Sequence, residues 1–338
     1  MKSLCLAIVL SAAVSAQTKL FLIDEHDKYG FIDISGTVII KPTLENSEVF
    51  SEGYAKQIKQ NFFDKDVSFI NSAGVAVIRT TYEEAGRFSE GVARVRKIGF
   101  ILRGKWGFID TTGKEIILTR YSEVGDFHNG RAWVIQRPFF LPSLTPDKFG
   151  YINRQGEHVI PYAYDAVGDF SEGLASVTLN GKRGFIDTTG KTIIELQYDY
   201  ASAFSGGLAR VKKDNLWGYI DTQGHTIIPH QFSDARDFYD NRALVRNEGR
   251  WEFIDRSGKR VIAVGFDDML FYSEQVAAFK SNGRWGFIDS AGTVVIQPQF
   301  AYVESFRNGL AIAETDHERG YINSKGEFVW KRAIEGNE

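Results

Sequence analysis

A short phrase of apolar residues recurs nine times along the chain. In each copy an anchor residue is followed by an aromatic residue and then by isoleucine, as in Gly184, Phe185 and Ile186. The nine anchors are Gly30, Ser68, Gly107, Gly150, Gly184, Gly218, Glu252, Gly286 and Gly320. Neighbouring residues of a strand point to opposite faces, so the phrase predicts a strand that is buried on both faces. Stacked sheets or stacked repeats provide two such faces.

A turn motif follows the isoleucine in every copy. It consists of aspartate or asparagine and, three residues later, a glycine; these glycines are Gly36, Gly74, Gly113, Gly156, Gly190, Gly224, Gly258, Gly292 and Gly326. The Asx side chain accepts backbone hydrogen bonds and glycine adopts the left-handed conformation, so the motif predicts a hairpin turn. Regularly spaced acids are also calcium ligands. Because Asn71, Asn153 and Asn323 replace the carboxylate, the pattern favours structural turns over metal sites.

The rest of each unit predicts two further strands. An apolar stretch forms the second strand, and Pro229 or an equivalent proline is expected to end it. Aromatic residues fourteen and twenty positions after the anchor allow a short extra strand. An alanine twenty-five positions after the anchor, such as Ala209, opens the third strand. The predicted units start near residues 28, 66, 105, 148, 182, 216, 250, 284 and 318.

These residues resemble the WG repeat family of bacteria, which is named for a Trp-Gly pair at the start of each unit. Residues 106–107, 217–218 and 285–286 are Trp-Gly, whereas Trp251-Glu252 and Val67-Ser68 depart from the pair. The resemblance covers essentially the whole chain after residue 16. It implies a repeat protein with an interaction role and with no established catalytic residues.

The pattern predicts an all-β domain over residues 17–338, built from about nine units of ~34 residues, each a three-stranded antiparallel meander. Two arrangements remain open, a solenoid-like β superhelix and a closed propeller-like ring. The start of the chain, Leu20 to Ile23, and its last unit, Gly320 to Trp330, add up to one unit, which favours a ring. A repeat of 34 residues is short for a four-stranded blade, so we expect the open superhelix, with the ring as the alternative.

The first sixteen residues have the order of a secretory signal peptide. Lys2 precedes an apolar run, and small residues end at Ala16. We expect cleavage before Gln17 and export to the periplasm, the cell surface or the medium. The later sequence contains no apolar segment long enough for a membrane-spanning helix. The single cysteine, Cys5, lies within the signal, so thiol chemistry is excluded from the mature chain.

Composition and motifs do not indicate an enzyme. The 40 Lys and Arg against 43 Asp and Glu argue against nucleic acid as the partner. No phosphate loop or nucleophile elbow is present, the histidines are scattered, and neither a cofactor nor a metal is expected. The acidic pairs at residues 83–84 and 267–268 could serve a glycosidase, although solvated acids are expected in these polar stretches. We therefore predict a non-enzymatic scaffold, with a carbohydrate-active enzyme on a propeller-like frame as the alternative.

Three insertions interrupt the regular spacing of the units. The first three anchor steps are 38, 39 and 43 residues, whereas the other five are 34 residues. The extra residues follow the third strand, and the apolar ones among them include Phe62, Phe63, Phe139, Phe140 and Leu141. Stacking of consecutive units would bring the insertions to one edge. They predict a patch that binds a protein or a cell-envelope glycan, and a hydrophobic cap is the alternative.

Overall fold

The computed structural model describes residues 19–60, 65–99, 102–135, 147–263 and 266–334. All regular structure in these ranges is β, in 34 strands that form nine antiparallel sheets. The sheets are numbered here as blades 1 to 9 in chain order. The predicted signal peptide lies outside the described residues.

Blades 1 and 2 have three strands each among the described residues. They are β1 (Phe21–Glu25), β2 (Lys28–Ile32) and β3 (Val38–Leu44) in blade 1, and β4 (Ala55–Gln60), β5 (Lys65–Ile70) and β6 (Ala76–Arg79) in blade 2.

Blades 3 to 9 have four strands each, here called A to D in chain order. Blade 3 consists of β7 (Glu84–Ser89), β8 (Val92–Gly99), β9 (Leu102–Asp110) and β10 (Glu115–Tyr121), and blade 4 of β11 (Glu123–Val124), β12 (Ala132–Ile135), β13 (Phe149–Ile152) and β14 (His158–Tyr164). Blade 5 consists of β15 (Ala166–Val167), β16 (Leu174–Leu179), β17 (Lys182–Asp187) and β18 (Thr192–Tyr198), and blade 6 of β19 (Tyr200–Ala201), β20 (Leu208–Lys213), β21 (Leu216–Asp221) and β22 (Thr226–Phe232).

The last three blades repeat this plan. Blade 7 consists of β23 (Asp234–Ala235), β24 (Ala243–Asn247), β25 (Arg250–Ile254) and β26 (Arg260–Ala263). Blade 8 consists of β27 (Asp268–Met269), β28 (Val276–Ser281), β29 (Arg284–Asp289) and β30 (Val294–Phe300). Blade 9 consists of β31 (Tyr302–Val303), β32 (Ala311–Glu314), β33 (Glu318–Ile322) and β34 (Phe328–Ala333). The three strands of blades 1 and 2 correspond to B, C and D. The short extra strand that the aromatic positions allowed is strand A, only two residues long from blade 4 onwards.

The repeated phrase is the C strand, and both of its faces are buried as predicted. Phe185 and Ile186 have no exposed surface. The ring of Phe185 packs on Phe204 of the next blade, with centroids 4.7 Å apart. Ala209 of that blade belongs to the same apolar cluster. The core therefore lies between successive blades, and the small alanine allows them to approach closely.

The nine blades close into a ring, so the arrangement is the propeller and not the open superhelix that the short repeat favoured. Blade 9 packs on blade 1 through an apolar cluster that includes Phe21, Ile23 and Trp330. The Tyr321 hydroxyl donates to the Leu22 carbonyl at 2.8 Å. A four-stranded blade fits within 34 residues because its A strand has only two residues. The expectation of an open superhelix assumed longer strands.

β1 completes the sequence unit that begins with β33, as predicted for a ring, but the two chain ends lie in different blades. β1 pairs with β2 in blade 1, whereas β34 pairs with β33 in blade 9. In blade 5 the carbonyl of Ser176, on strand B, accepts the N–H of Gly168 just beyond strand A at 2.8 Å. Leu22 is the equivalent residue of blade 1. Its carbonyl accepts the hydroxyl of Tyr321 in place of an amide next to strand A. Arg332 adds an ion pair across this seam with Asp24, at 2.7 Å.

The D strand continues through the proline that was expected to end it. β22 spans Pro229, and its pairing with β21 shifts register between Ile228 and Phe232. The shift is a bulge, and its backbone passes over the anchor: a Cβ on Gly218 would lie 2.7 Å from the Ile228 oxygen. Glycine is the anchor because a side chain does not fit under this bulge. Where the anchor is Glu252, the D strand β26 is short, and Glu252 pairs with Ala263 directly after the pair of Phe253 and Ile262, with no bulge between the two pairs.

Strand direction defines two faces of the ring. Successive strands of a blade are antiparallel, so the B–C turns and the D–A connections lie on one face, called here the insert face. The A–B and C–D turns lie on the other, called here the turn face. All three sequence insertions fall between strands B and C, in the consecutive blades 2, 3 and 4. In blade 3 the insertion lengthens β8 and β9, which leaves only residues 100–101 between the two strands.

Candidate functional site

The predicted binding residues Phe62, Phe63, Phe139, Phe140 and Leu141 lie outside the described residues. The described strands that flank the three insertions are β4 and β5, β8 and β9, and β12 and β13. They belong to three neighbouring blades and reach the insert face with the same strand ends. The described strands on either side of the insertions therefore belong to three adjacent blades, one third of the ring.

A cavity of about 470 Å³ lies between blades 3 and 4, next to the strands that flank two of the insertions. Its lining residues are Arg94, Arg96, Gly104, Trp106, Ser122, Glu123, Val124 and Trp133. Gly104 lies near the start of strand C and Ser122 in the D–A connection, so the cavity lies toward the insert face. Its volume falls in the range typical of small-molecule sites.

Arg94 links the two blades through its guanidinium group. Its Nη1 donates to the Val124 carbonyl at 3.1 Å, and its Nε lies 3.1 Å from an Asp126 carboxylate oxygen. The guanidinium also lies 5.5 Å from the centre of the Trp106 ring. Gly86 leaves room for this side chain, since a Cβ there would lie 2.6 Å from the Arg94 Cγ. Arg94 is therefore fixed in place by blade 4.

Arg96 lies on the same side of strand B as Arg94 and is held more loosely. Its guanidinium lies 5.9 Å from the Trp106 ring centre, and its Nη1 donates to Glu84 at 3.2 Å. The side chain remains 31% exposed. Lys105 donates to the Ser122 hydroxyl at 3.1 Å at the same edge of the cavity. The cavity therefore carries cationic groups on its blade 3 wall.

Trp133 forms the blade 4 wall, and the chain makes room for its indole. A Cβ on Gly125 would lie 2.2 Å from the indole nitrogen. Trp133 also hydrogen bonds to Asp169 of blade 5. Burial raises the pKa of the Asp169 carboxyl, while His128, 3.8 Å away, acts in the opposite direction. The repeat pattern does not reveal these residues, because each occupies a position whose residue type varies between units.

A similar arginine contact joins blades 6 and 7. Comparison of the two contacts shows which residues of the cavity differ from the equivalent positions of other blades. Arg210 lies 2.9 Å from Asp237, donates to the Ala235 carbonyl and lies 5.1 Å from the Trp217 ring centre. Its side chain is 15% exposed, against 34% for Arg94. Lys212 stands at the position of Arg96, and Leu244 at that of Trp133. The arginine–aspartate contact therefore recurs as an interblade link, whereas Arg96 and Trp133 are additions at blades 3 and 4.

The Asx-Gly motifs form the structural turns that were predicted. All nine turn glycines have φ between +76° and +90°. In one of these turns the Asp187 Oδ1 accepts hydrogen bonds from the Thr189 and Lys191 amides, at 2.9 and 3.1 Å. The Thr189 hydrogen bonds hold the pKa of Asp187 below its ordinary value. Asn153 accepts from its own turn in the same way, which explains the exchange of the two residue types.

The turn face carries a ladder of hydrogen bonds between A–B turns. A side chain in the left-handed conformation accepts from a backbone N–H of the following turn at 2.8 or 2.9 Å; the acceptors are Glu52, Glu90, Asn129, Glu172, Asp240 and Glu274. A serine one residue earlier often donates to a phenylalanine carbonyl of the next blade, as from Ser171 to Phe204 at 2.8 Å. The recurring Ser-Glu-Gly of the sequence is thus an interblade connection.

The other chemical candidates of the sequence do not converge. The two acidic pairs lie in blades 3 and 8, and Glu84 pairs with Arg96. His225 contacts Asp221 of its own turn, whereas His230 stacks on Tyr198 of the preceding blade. No group of three or more potential metal ligands occurs within the described ranges. No helix in those ranges is long and apolar enough to cross a membrane.

Comparison with protein families matches a model described as a WG containing repeat to eight segments. They are residues 29–56, 68–99, 106–137, 149–182, 184–217, 217–251, 253–285 and 285–316. No curated protein matches the chain.

Several solved structures are similar. Apo AztD from Citrobacter koseri has 12% identity and a TM-score of 0.43, over 94% of this chain and 95% of that chain. The tricorn protease has 15% identity and a TM-score of 0.28, over 94% of this chain and 39% of that chain. The AfRom2 CNH domain has 9% identity and a TM-score of 0.34, over 63% and 84%. At these identities and TM-scores, none of the three bears on function.

Proposed function

Since the chain belongs to the WG-containing repeat family and folds as a nine-bladed propeller, we propose that it is an exported binding scaffold. Its insert face holds a protein or a cell-envelope glycan. The observation that carries this proposal is the position of the three insertions, between strands B and C of the consecutive blades 2, 3 and 4. Connecting segments on a rigid frame commonly form binding sites.

The composition of the insertions supports a binding role. Phe62, Phe63, Phe139 and Phe140 stand outside the positions that form the repeated core. Apolar side chains gathered on one side of a protein often mark an interaction site. The cavity between blades 3 and 4 opens beside the same strand ends, so the proposed surface combines apolar loops with a polar pocket.

The absence of an enzymatic role is part of the proposal. The acidic pairs of the sequence lie in separate blades, and the Asp and Asn side chains of the turns are engaged in backbone hydrogen bonds. The proposal of export rests on the signal-like residues 1–16. Hydrolysis of any glycoside in a substrate panel by the purified mature chain would contradict the non-enzymatic role.

The insertions are tested by replacing Phe62, Phe63, Phe139 and Phe140 together with serine. We expect the melting temperature to stay about unchanged while the amount of partner captured from the producing cell's envelope falls strongly. Capture followed by mass spectrometry measures the second effect. The reason is that interface aromatics contribute to binding and not to the interblade core.

Two control variants separate binding from folding. Leu118→Ser removes another apolar side chain, 68% exposed on the D strand of blade 3, and should leave capture unchanged. Phe204→Ala empties a core position and should cost about 3 to 5 kcal/mol. A much lower melting temperature of the quadruple variant would show that the insertions are a structural cap. Normal melting with full capture would place the binding site elsewhere on the ring.

A further inference from the structure

Blade 5 differs from blade 6 at two strand positions that face the next blade. In blade 6, strand B carries Arg210 and strand C carries Trp217, and the guanidinium lies 5.1 Å from the centre of the indole ring. At the same two positions blade 5 has Ser176 on strand B and Arg183 on strand C. The arginine of blade 5 therefore stands where other units have the tryptophan of the Trp-Gly pair, and a serine takes the usual place of the arginine.

A cavity of about 280 Å³ lies between blades 5 and 6 beside these residues. Ser176, Thr178 and Arg183 line it from blade 5, and Tyr200 and Ala203 line it from blade 6. Its volume is just below the range of about 300 to 1,000 Å³ that is typical of drug-sized ligands. The cavity therefore suits a small molecule with a compact body.

The guanidinium of Arg183 has no carboxylate partner among the residues that the structure describes. Its Nη1 donates to the Ala201 carbonyl at 3.4 Å, which is longer than the usual N–H···O hydrogen bond. The guanidinium also lies 4.6 Å from the centre of the Tyr200 ring. Because a guanidinium has five N–H donors, most of them remain for a ligand.

The equivalent arginines of two other blades are neutralised by an aspartate. Arg94 lies 3.1 Å from Asp126 of the next blade, and Arg210 lies 2.9 Å from Asp237. Blade 6 has Ala203 at the position of these aspartates. Asp237 also lines the cavity, but Arg210 already pairs with it. The cavity between blades 5 and 6 therefore has one positive charge that no carboxylate matches.

Two hydroxyl groups lie beside this charge. The backbone carbonyls of Ser176 and Thr178 accept amides of their own blade at 2.8 Å, whereas their hydroxyls form no hydrogen bond within the described ranges. A carboxylate accepts hydrogen bonds from a guanidinium and from hydroxyls. A single carboxylate also balances one positive charge, which a dianionic phosphate would exceed. Small apolar side chains such as Ala166 and Ala203 line the rest of the cavity.

We propose that this cavity binds a small free monocarboxylate with an apolar body, and that Arg183 binds its carboxylate. The lining residues belong to strands and to the segments next to strand A, and none belongs to a B–C turn. A free small molecule is therefore the expected occupant, and not a side chain of a folded partner. The site goes beyond the proposed scaffold function, because it lies outside blades 2 to 4 and does not require the insertions.

The test is calorimetric titration of the purified protein with benzoate and with benzamide, a neutral molecule of nearly the same shape. We expect benzoate to bind with a Kd of about 1 mM or lower, and benzamide to bind at least about tenfold more weakly. Tryptophan fluorescence provides a second readout, since the Trp217 ring centre lies 5.2 Å from that of Tyr200.

Three variants test the role of Arg183. Arg183→Gln should weaken benzoate binding at least about tenfold, because it removes a charged hydrogen bond. Ala203→Asp supplies the carboxylate that Arg94 and Arg210 have, and it should abolish binding by pairing with Arg183. Arg183→Trp restores the Trp-Gly pair of the family and should abolish binding as well.

Arg319→Gln is the matched control. Arg319 occupies the same position of strand C in blade 9, where it pairs with Glu314 at 2.5 Å, and its loss should leave the benzoate affinity unchanged. Melting temperatures of all variants report folding. If Ala203→Asp melts lower, Arg183→Trp still tests the proposal, because tryptophan occupies this position in other units, at residues 106, 217 and 285.

Three outcomes would overturn the proposal. They are the absence of benzoate binding at millimolar concentrations, equal binding of benzamide, and binding of inorganic phosphate or of an acidic peptide at least as tight as that of benzoate. The variant with serine at the four insertion phenylalanines should bind benzoate as the unchanged protein does. The failure of this inference is therefore distinguishable from the failure of the proposed function.

Discussion

Single residues explain most of the repeat pattern. The anchor glycine lies under the bulge of strand D, and the turn glycine has a positive φ. The Asx residue between them uses its side chain to close the C–D turn. These three positions recur because each meets a steric or hydrogen-bonding demand of one blade. None of them requires a ligand.

The turn glycines provide a prediction at this scale. Gly190→Val or Gly224→Val should lower the free energy of unfolding by about 1 to 3 kcal/mol, because a β-branched residue is strained at φ of +90° or +87°. A Cβ at either position would also approach an isoleucine of the preceding blade, within 3.2 or 3.3 Å. Urea denaturation measures the change.

Asp187→Asn is the matched variant for the same turn and should be nearly silent. Asparagine already accepts the equivalent hydrogen bonds from the turn of Asn153. Unfolding of this variant, with recovery on addition of calcium, would show that the turn is a metal site.

At the scale of elements, the A–B turns connect the blades on the turn face. Each rung of the ladder places an acidic or amide side chain against the backbone of the next turn. Gly206 occupies the acceptor position of blade 6, and this turn has no side chain to extend the ladder. The ladder therefore consists of separate local contacts, each of which can be removed singly.

Glu172→Ala should lower the free energy of unfolding by about 1 kcal/mol, because it removes the acceptor of the Gly207 amide at 2.9 Å. Glu248→Ala is the control. Glu248 has a similar positive φ, but it lies in a B–C turn on the insert face. Equal losses for the two variants, measured by urea denaturation, would show that backbone conformation and not the ladder determines the effect.

Some of these elements could be predicted from the sequence, and others could not. The C strand, its turn and the short A strand follow from residue spacing, because burial and glycine conformation act locally. The bulge at Pro229 does not follow, since it depends on how strand D passes over Gly218. The contacts among Arg94, Trp106 and Asp126 also escape the pattern. They join two blades at positions where the residue type changes from unit to unit.

On the scale of the whole molecule, the ring is closed by side chains and not by a shared blade. The Tyr321 hydroxyl takes the place of a strand A amide at Leu22, and Arg332 pairs with Asp24 beside it. The side-chain contacts that close the ring join distant chain segments and do not follow from the repeat spacing, although the incomplete units at the two chain ends favour a ring. Closure also gives the insert face a fixed geometry, in which blades 2, 3 and 4 form one continuous sector.

The central claim is that this sector binds the partner. Hydrogen exchange of the mature protein, with and without the captured partner, measures it most directly. We predict that protection on binding is concentrated at the insert-face ends of β4, β5, β8, β9, β12 and β13. Protection on the turn face, or mainly in blades 6 to 9, would contradict the account.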